Sequence, residues 1–110
     1  MDDCVFCKII EGTIPSTMVR EDELTYAFRD IHPAAPVHVL VVPRTHFADV
    51  CVGILEHPEL VGAVIAAANE VAKAEGVADG WRLVFNTGER SGQTVFHCHA
   101  HVLGYPEGHL

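Results

Sequence analysis

The stretch that decides the fold is Thr94-Val95-Phe96-His97-Cys98-His99-Ala100-His101-Val102-Leu103. Its second half alternates histidine with apolar residues, which is the period-two pattern of a β-strand. We therefore predict a strand over Thr94 to Leu103 that carries His97, His99 and His101 on one face. The residues between them would lie on the other face and pack beneath a helix. Three imidazoles make a poor apolar surface, so this pattern indicates a functional site.

Two kinds of chemistry fit these histidines. Zinc binds histidine pairs, but alternate residues on a regular strand are ~6.7 Å apart, so one ion would take only two of the three and a ligand from elsewhere. In the other interpretation, one imidazole attacks a substrate and another assists. The preceding loop, Asn86 to Gln93, favours nucleophilic catalysis. Its glycines let backbone amides approach a ligand, and its polar side chains add donors that suit a phosphate.

The rest of the chain predicts an α+β domain. A short N-terminal helix is expected over Cys4 to Glu11, and a long one over about Pro58 to Glu75, with one apolar face. That face consists of Leu60, Val61, Val64, Ile65, Ala68, Val71 and Ala72. Four further strands are expected at Met18 to Glu21, Leu24 to Asp30, Val37 to Val42 and Trp81 to Phe85. Short connections favour antiparallel pairing, so we predict an antiparallel sheet of about five strands in a single domain over residues 1–110.

Composition excludes several classes of function. The chain has 110 residues and a formal net charge of −8, which disfavours a nucleic-acid-binding surface. The acidic start lacks the pattern of a secretory signal, and the longest apolar stretch, Leu60 to Ala68, is shorter than the ~18 residues of a membrane span. Four cysteines without an export signal are typical of a reducing compartment. We therefore expect a cytoplasmic protein with no membrane and no nucleic-acid partner.

These segments resemble a known family. His97 to Leu103 fits the His-φ-His-φ-His-φ-φ signature of the histidine triad proteins, in which φ is an apolar residue. The match extends in order and spacing to the segments Phe28 to Ile31, Pro36 to His46, Asn86, and Gly92 to Thr94. It covers about Cys4 to Pro106 and is closest to the nucleotide-binding (Hint) branch. Three intact histidines argue against the uridylyltransferase branch, in which the third is glutamine.

The resemblance implies an enzyme and assigns roles to residues. It implies hydrolysis of nucleoside 5′-phosphoramidates, such as AMP linked to an amine or lysine, with purine nucleotides (AMP and GMP derivatives) as substrates. His99 would form a covalent nucleotidyl-histidine, His101 would contact the phosphate or the leaving group, and His38 would support the site. The implied substrate-binding residues are Ile14, Phe28, Ile31 and Leu40 for the base, Asp30 for the ribose, and Asn86, Gly92, Gln93 and Thr94 for the phosphate. The family fold is an antiparallel sheet with a long helix, usually in a homodimer.

Two alternatives to this function stay open. The same site would serve a dinucleoside polyphosphate hydrolase, because Gly92-Gln93-Thr94-Val95 also resembles that neighbouring branch. A nucleotide-binding interaction module with incidental catalysis is the third hypothesis. The sequence departs from the family pattern at two places. Thr94 stands where serine is frequent, which bears on the phosphate geometry. The tail from Tyr105 to Leu110 lacks the tryptophan of many Hint members, which bears on the leaving group.

A second site is expected at the N-terminus. Cys4-Val5-Phe6-Cys7 has metal-ligand spacing, because residues three apart on a helical turn share a face. A redox pair and two unrelated buried thiols are the alternatives. Adding His46 and His97 completes a tetrahedral set of two thiolates and two imidazoles, which some bacterial members of the resembling family use for zinc. We therefore predict a structural zinc and no organic cofactor.

Overall fold

A computed structural model describes residues 3–106 of the chain as a five-stranded sheet with three α-helices. The helices are α1 (Val5–Glu11), α2 (Val50–Glu56) and α3 (Pro58–Ala74). The strands are β1 (Met18–Glu21), β2 (Thr25–Arg29), β3 (Val37–Pro43), β4 (Trp81–Phe85) and β5 (Ala100–Gly104). They pair in the order β1-β2-β3-β5-β4, and each pair is antiparallel. The predicted α+β class and antiparallel sheet are confirmed.

The central strand β3 separates two apolar clusters. All of its residues are buried, and its side chains alternate between the two faces of the sheet. Val39 and Val41 pack in the cluster that includes α3. Leu40 and Val42 pack in the second cluster, with Phe6 of α1. Because His38 alternates with Val37 and Val39, it lies on the face of the sheet that carries α1. The candidate site is on this face.

The long helix α3 matches the expected apolar stripe except at one position. The predicted residues Leu60, Val61, Val64, Ala68, Val71 and Ala72 are all buried. Ile65 is 42% exposed, so its assignment to the buried face was wrong. It lies one step beyond Ala72 around the helix axis, at the rim of the stripe. None of the helices among residues 3–106 has the length and hydropathy needed to cross a membrane.

The predicted strand over Thr94 to Leu103 was wrong in its first six residues, because β5 begins at Ala100. In the ladder between β3 and β5, Val41 pairs with Ala100, and the next residues of β3 lead to Pro43, which has no N–H to donate. Strand β4, the other partner of β5, ends at Phe85, which pairs with Ala100. Of the three signature histidines, only His101 therefore lies in a strand. His97 and His99 belong to the irregular segment before it.

The short helix α1 agrees with the sequence, whereas α2 was not predicted. Helix α1 begins after Cys4, whose sulfur accepts a hydrogen bond from the Cys7 N–H, and ends at Gly12 with φ of 88°. A positive φ of this kind favours glycine. Helix α2 is capped by Asp49, whose carboxylate accepts a hydrogen bond from the Val52 N–H. Its seven residues include Gly53 and give too short an apolar pattern to detect.

Candidate active site and metal centre

A cavity of about 360 Å³ opens on the face of the sheet that carries α1. Helix α1, strands β2 and β3, and the loop before β5 form its walls. Of the residues named from the sequence, it is lined by Ile14, Phe28, Asp30, Ile31, Leu40, Asn86, Gly92, Thr94, His99 and His101. The volume lies in the range of small-molecule sites, and apolar side chains with a few converging polar groups are typical of such sites.

His99 is held in one protonation state and one tautomer. The residue is 9% exposed, and burial lowers its pKa from the usual value of 6.5, so the imidazole is neutral at neutral pH. Its Nδ1 lies 2.7 Å from the carbonyl oxygen of His97, which only accepts hydrogen bonds. Nδ1 must therefore carry the proton. The lone pair is left on Nε2, the ring nitrogen that His99 has free for chemistry in the cavity.

A chain of hydrogen bonds likewise fixes the tautomer of His101. The Ala34 N–H donates to Nδ1 of His38 at 2.9 Å, so His38 carries its proton on Nε2. That atom lies 2.9 Å from Nδ1 of His101 and 3.4 Å from a carboxylate oxygen of Asp30. When His38 donates to His101, the proton of neutral His101 resides on its own Nε2. His101 thus presents an N–H donor next to Asn86, whose Nδ2 is 3.5 Å away.

Burial keeps His101 neutral as well. Burial, together with the nearby rings of His99 and His38, lowers the pKa of His101 to about 4, although Asp30 acts in the opposite sense. The rings of His99 and His101 have centroids 5.0 Å apart. The site therefore combines one imidazole with a free lone pair and one with a fixed N–H donor.

Gln93 does not line the cavity, in contrast to its expected role toward phosphate. The residue is 2% exposed, and its side-chain oxygen accepts a hydrogen bond from the Gly88 N–H at 2.8 Å. Its nitrogen donates to the carbonyl oxygens of Ala48 and Val95. These bonds satisfy the amide within the protein. Gln93 shapes the loop that presents Gly92 and Thr94, and composition alone gave no sign that the side chain turns inward.

A second group of side chains lies beside the cavity and has the geometry of a metal centre. It consists of Cys4, Cys7, His46 and His97, whose ligand atoms all lie within 4.8 Å of one another. Cys4 Sγ is 3.4 Å from His97 Nδ1, Cys7 Sγ is 3.5 Å from His46 Nδ1, and the two Nδ1 atoms are 3.2 Å apart. Tetrahedral zinc ligands of these types lie roughly 3.3–3.8 Å apart.

The protonation of His97 also fits a cation. His97 is fully buried, and burial lowers its pKa to about 4. Its Nε2 lies 2.8 Å from the Pro43 carbonyl oxygen and so carries the proton, which leaves the Nδ1 lone pair facing the sulfurs. Burial, together with the neighbouring Cys4, raises the pKa of the Cys7 thiol to about 11. Metal binding would have to displace that proton.

Asp30, His38 and His101 also lie close enough together to hold an ion. Their hydrogen bonds argue against it. His38 uses Nδ1 to accept from the Ala34 N–H, so its Nε2 has no lone pair to offer unless the ring becomes an imidazolate. Asp30, His38 and His101 therefore form a hydrogen-bonded network. The metal-ligand geometry belongs to Cys4, Cys7, His46 and His97, which we call the Cys/His cluster.

Three residues of α1 that the sequence analysis did not assign to the site line the cavity: Val5, Phe6 and Ile9. Phe6 lies between the two cysteines, and their Cys-x-x-Cys spacing indicates only metal binding, so it gave Phe6 no role in the cavity. The spacing of Phe6 and Ile9 was the available signal, because residues three apart share a helical face.

A five-stranded antiparallel sheet with a histidine-lined cavity on one face defines the structural class of the histidine triad proteins. The sequence model of the protein family described as HIT domain matches residues 11–108, so the chain belongs to the HIT family.

Known proteins resemble the chain over most of its length. A purine nucleoside phosphoramidase of Escherichia coli is 43% identical, over 94% of this chain and 87% of that protein. A 14 kDa zinc-binding protein of Zea mays is 45% identical, over 91% of this chain and 80% of that protein. A HIT family hydrolase from Clostridium thermocellum superposes with a TM-score of 0.93 at 45% identity, over 100% of this chain and 96% of that one.

Proposed function

We propose that this protein hydrolyses purine nucleoside 5′-phosphoramidates through a covalent intermediate on His99. The observation that carries the proposal is the 2.7 Å contact between His99 Nδ1 and the His97 carbonyl oxygen, which leaves Nε2 with the lone pair. A neutral imidazole with one nitrogen anchored and the other free is a suitable nucleophile. The phosphoramidase name of the Escherichia coli relative supports the substrate class.

In the first step, His99 Nε2 attacks the α-phosphorus. A bond forms between Nε2 and phosphorus, the P–N bond to the amine breaks, and the bonding pair leaves with the amine nitrogen. His101 donates its Nε2 proton toward that nitrogen, so the leaving group departs as a neutral amine. In the second step, water attacks phosphorus and gives a proton to His101 Nε2, the P–Nε2 bond breaks with its electron pair returning to His99, and the products are the nucleoside monophosphate and regenerated His99 and His101.

Other cavity residues fit the parts of a nucleotide. Asn86 Nδ2 lies 3.5 Å from His101 Nε2, so it can donate to an anionic phosphate oxygen while the His101 N–H faces the leaving nitrogen. Gly92 and Thr94 line the same end of the loop. Asp30, with one oxygen bonded to the His32 N–H at 2.7 Å, is the candidate acceptor for ribose hydroxyls. The base would occupy the apolar part, between Phe28, Leu40 and the helix α1.

We further propose that Cys4, Cys7, His46 and His97 hold a structural zinc ion. The donor set, its spacing and the free Nδ1 of His97 support this assignment, as does the resemblance to the zinc-binding protein of Zea mays. Four protein ligands leave no open coordination position, so the ion would stabilise the fold without activating water.

The expected homodimer is proposed on the sheet topology. Strand β4 pairs with β5 on one side only, and among the described residues it has no strand on its other side. Exposed strand edges of this kind are sites of strand pairing between chains. Light scattering of the purified protein tests it, and a monomeric mass at micromolar concentration would contradict it.

The test of the proposed activity is intact-protein mass spectrometry during turnover of an adenosine phosphoramidate. The native protein should show a transient increase equal to one adenylyl group, and peptide mapping should place it on His99. His99→Ala should form no adduct and lose several orders of magnitude in kcat, while still binding AMP. Faster turnover of a diadenosine polyphosphate would instead favour the second hydrolase hypothesis. Unchanged turnover by His99→Ala would refute the assigned nucleophile.

A further inference from the structure

Helix α1 belongs to both sites at once. Phe6 lies between the two cysteines of the Cys/His cluster, and the residue is 6% exposed. The ring packs edge-on against His99, with centroids 5.0 Å apart and an interplanar angle of 89°. It also meets the ring of Phe28 at 5.4 Å. A single side chain therefore contacts the candidate nucleophile and the wall of the cavity, and its two near neighbours in sequence are candidate metal ligands.

Side chains alone attach α1 to the sheet. In the described part of the chain, the backbone hydrogen bonds of this helix stay within residues 4–14. Its apolar attachment is the packing of Phe6 and Ile9 against Phe28, Leu40 and Val42. Its polar attachment is the contact of the two cysteines with His46 and His97. A seven-residue helix is not stable alone, so its position depends on these two attachments.

We propose that α1 couples metal binding to nucleotide binding, with Phe6 as the positioning residue between the two sites. The inference rests on the proposed function of both sites. A metal held by Cys4 and Cys7 would fix the start of α1 against the segment that contains His97. The wall formed by Phe6 and Ile9 would then be ordered before the nucleotide arrives. Nucleotide binding to the metal-free protein would have to order that wall itself and would be weaker.

Cys4 gives the coupling a local physical cause. Its sulfur is both a candidate ligand and the cap of α1, since it accepts the hydrogen bond from the Cys7 N–H at 3.4 Å. A metal-bound thiolate is a stronger acceptor than a thiol, so metal binding reinforces the first turn of the helix. Phe6 is in that turn.

The coupling must be reciprocal, and this makes it measurable from both directions. Thermodynamic linkage requires zinc to change the affinity for AMP by the same factor by which AMP changes the affinity for zinc. We expect a factor of about 10, within the ordinary range of coupling between two sites. Calorimetric titration of AMP into zinc-loaded and zinc-free protein measures the first direction. Competition with a zinc chelator, with and without AMP, measures the second and starts from the folded, zinc-loaded protein.

Phe6→Leu tests the role of the ring, because leucine keeps an apolar side chain there but removes the edge-on contacts. The coupling factor should fall to about 1, with AMP binding weak at any zinc level. Cys7→Ser should also remove the effect of zinc on AMP. Val71→Ala, a substitution in the separate cluster under α3, should keep the full factor although it destabilises the protein.

The outcomes separate this inference from the proposed function. If native protein binds AMP and zinc with a coupling factor of 1, the inference is wrong and both proposed sites stand. If Phe6→Leu keeps the native factor, the ring does not transmit it and the inference is wrong in that part. Failure to bind either probe would overturn the proposed function of that site, and the coupling with it.

Discussion

Nε2 of His38 lies 2.9 Å from Nδ1 of His101, and this contact links the neighbouring strands β3 and β5 on the face of the cavity. The register places His38 opposite Leu103 and His101 opposite Leu40, so the two rings approach one another diagonally. Because the Ala34 N–H donates to Nδ1 of His38, Nε2 of His38 is the donor in this contact and Nδ1 of His101 is the acceptor. The proton on His101 is directed to the nitrogen that faces Asn86.

We predict that His38→Ala lowers kcat about 100-fold, the lower part of the range for positioned acid–base groups, with little change in KM. Without His38, either nitrogen of His101 can carry the proton, and the donor toward the leaving amine is present for only part of the time. Steady-state kinetics with an adenosine phosphoramidate measures the effect. His32→Ala is the control, because that exposed side chain lies outside the hydrogen-bonded chain. A native kcat in His38→Ala would contradict the role.

The stability of the protein should fall as the pH falls from 6.5 to about 4. Over this range the unfolded chain binds a proton at His101, whereas the buried ring in the folded protein does not, and burial shifts the pKa of His99 in the same direction. The free energy of unfolding from urea titrations at several pH values measures it. His101→Gln removes one of the titrating groups, so its stability should depend less steeply on pH. An equal slope in that variant would show that other groups dominate.

Zinc removal should reduce stability without stopping catalysis outright. Because the ion binds the folded site, it stabilises by about 2.7 kcal/mol when free zinc is 100 times its Kd. We expect one zinc per chain in native protein by elemental analysis, a lower Tm after chelation, and turnover that persists while the protein stays folded. Cys7→Ser should lose the metal, and Cys51→Ser, at an exposed thiol, should keep it. Full loss of turnover in chelated, folded protein would favour a catalytic metal.

Much of this architecture was predictable, because period-two and period-3.6 patterns are local. The strands at Met18, Val37 and Trp81 and the long helix followed from them. The course of residues 94–99 did not, since it depends on where the partner strands β3 and β4 end. The inward orientation of the Gln93 side chain depends in part on the carbonyl oxygen of Ala48, which is distant in sequence, and the cavity wall of α1 depends on tertiary packing. The sequence therefore predicts which chemical groups are present, whereas the orientation of their side chains depends on the neighbouring strands.

Two glycines should respond to alanine with opposite sign. Gly104 is buried in β5, and a Cβ there would lie 2.8 Å from both γ-carbons of Val77, so Gly104→Ala should destabilise by about 1–3 kcal/mol. Gly62 lies inside α3 with open space around it, so Gly62→Ala should stabilise by roughly 0.5–1 kcal/mol. Urea titrations measure both. Adding Val77→Ala to Gly104→Ala should recover part of the loss, because the smaller side chain removes the clash; strict additivity of the two changes would exclude that cause.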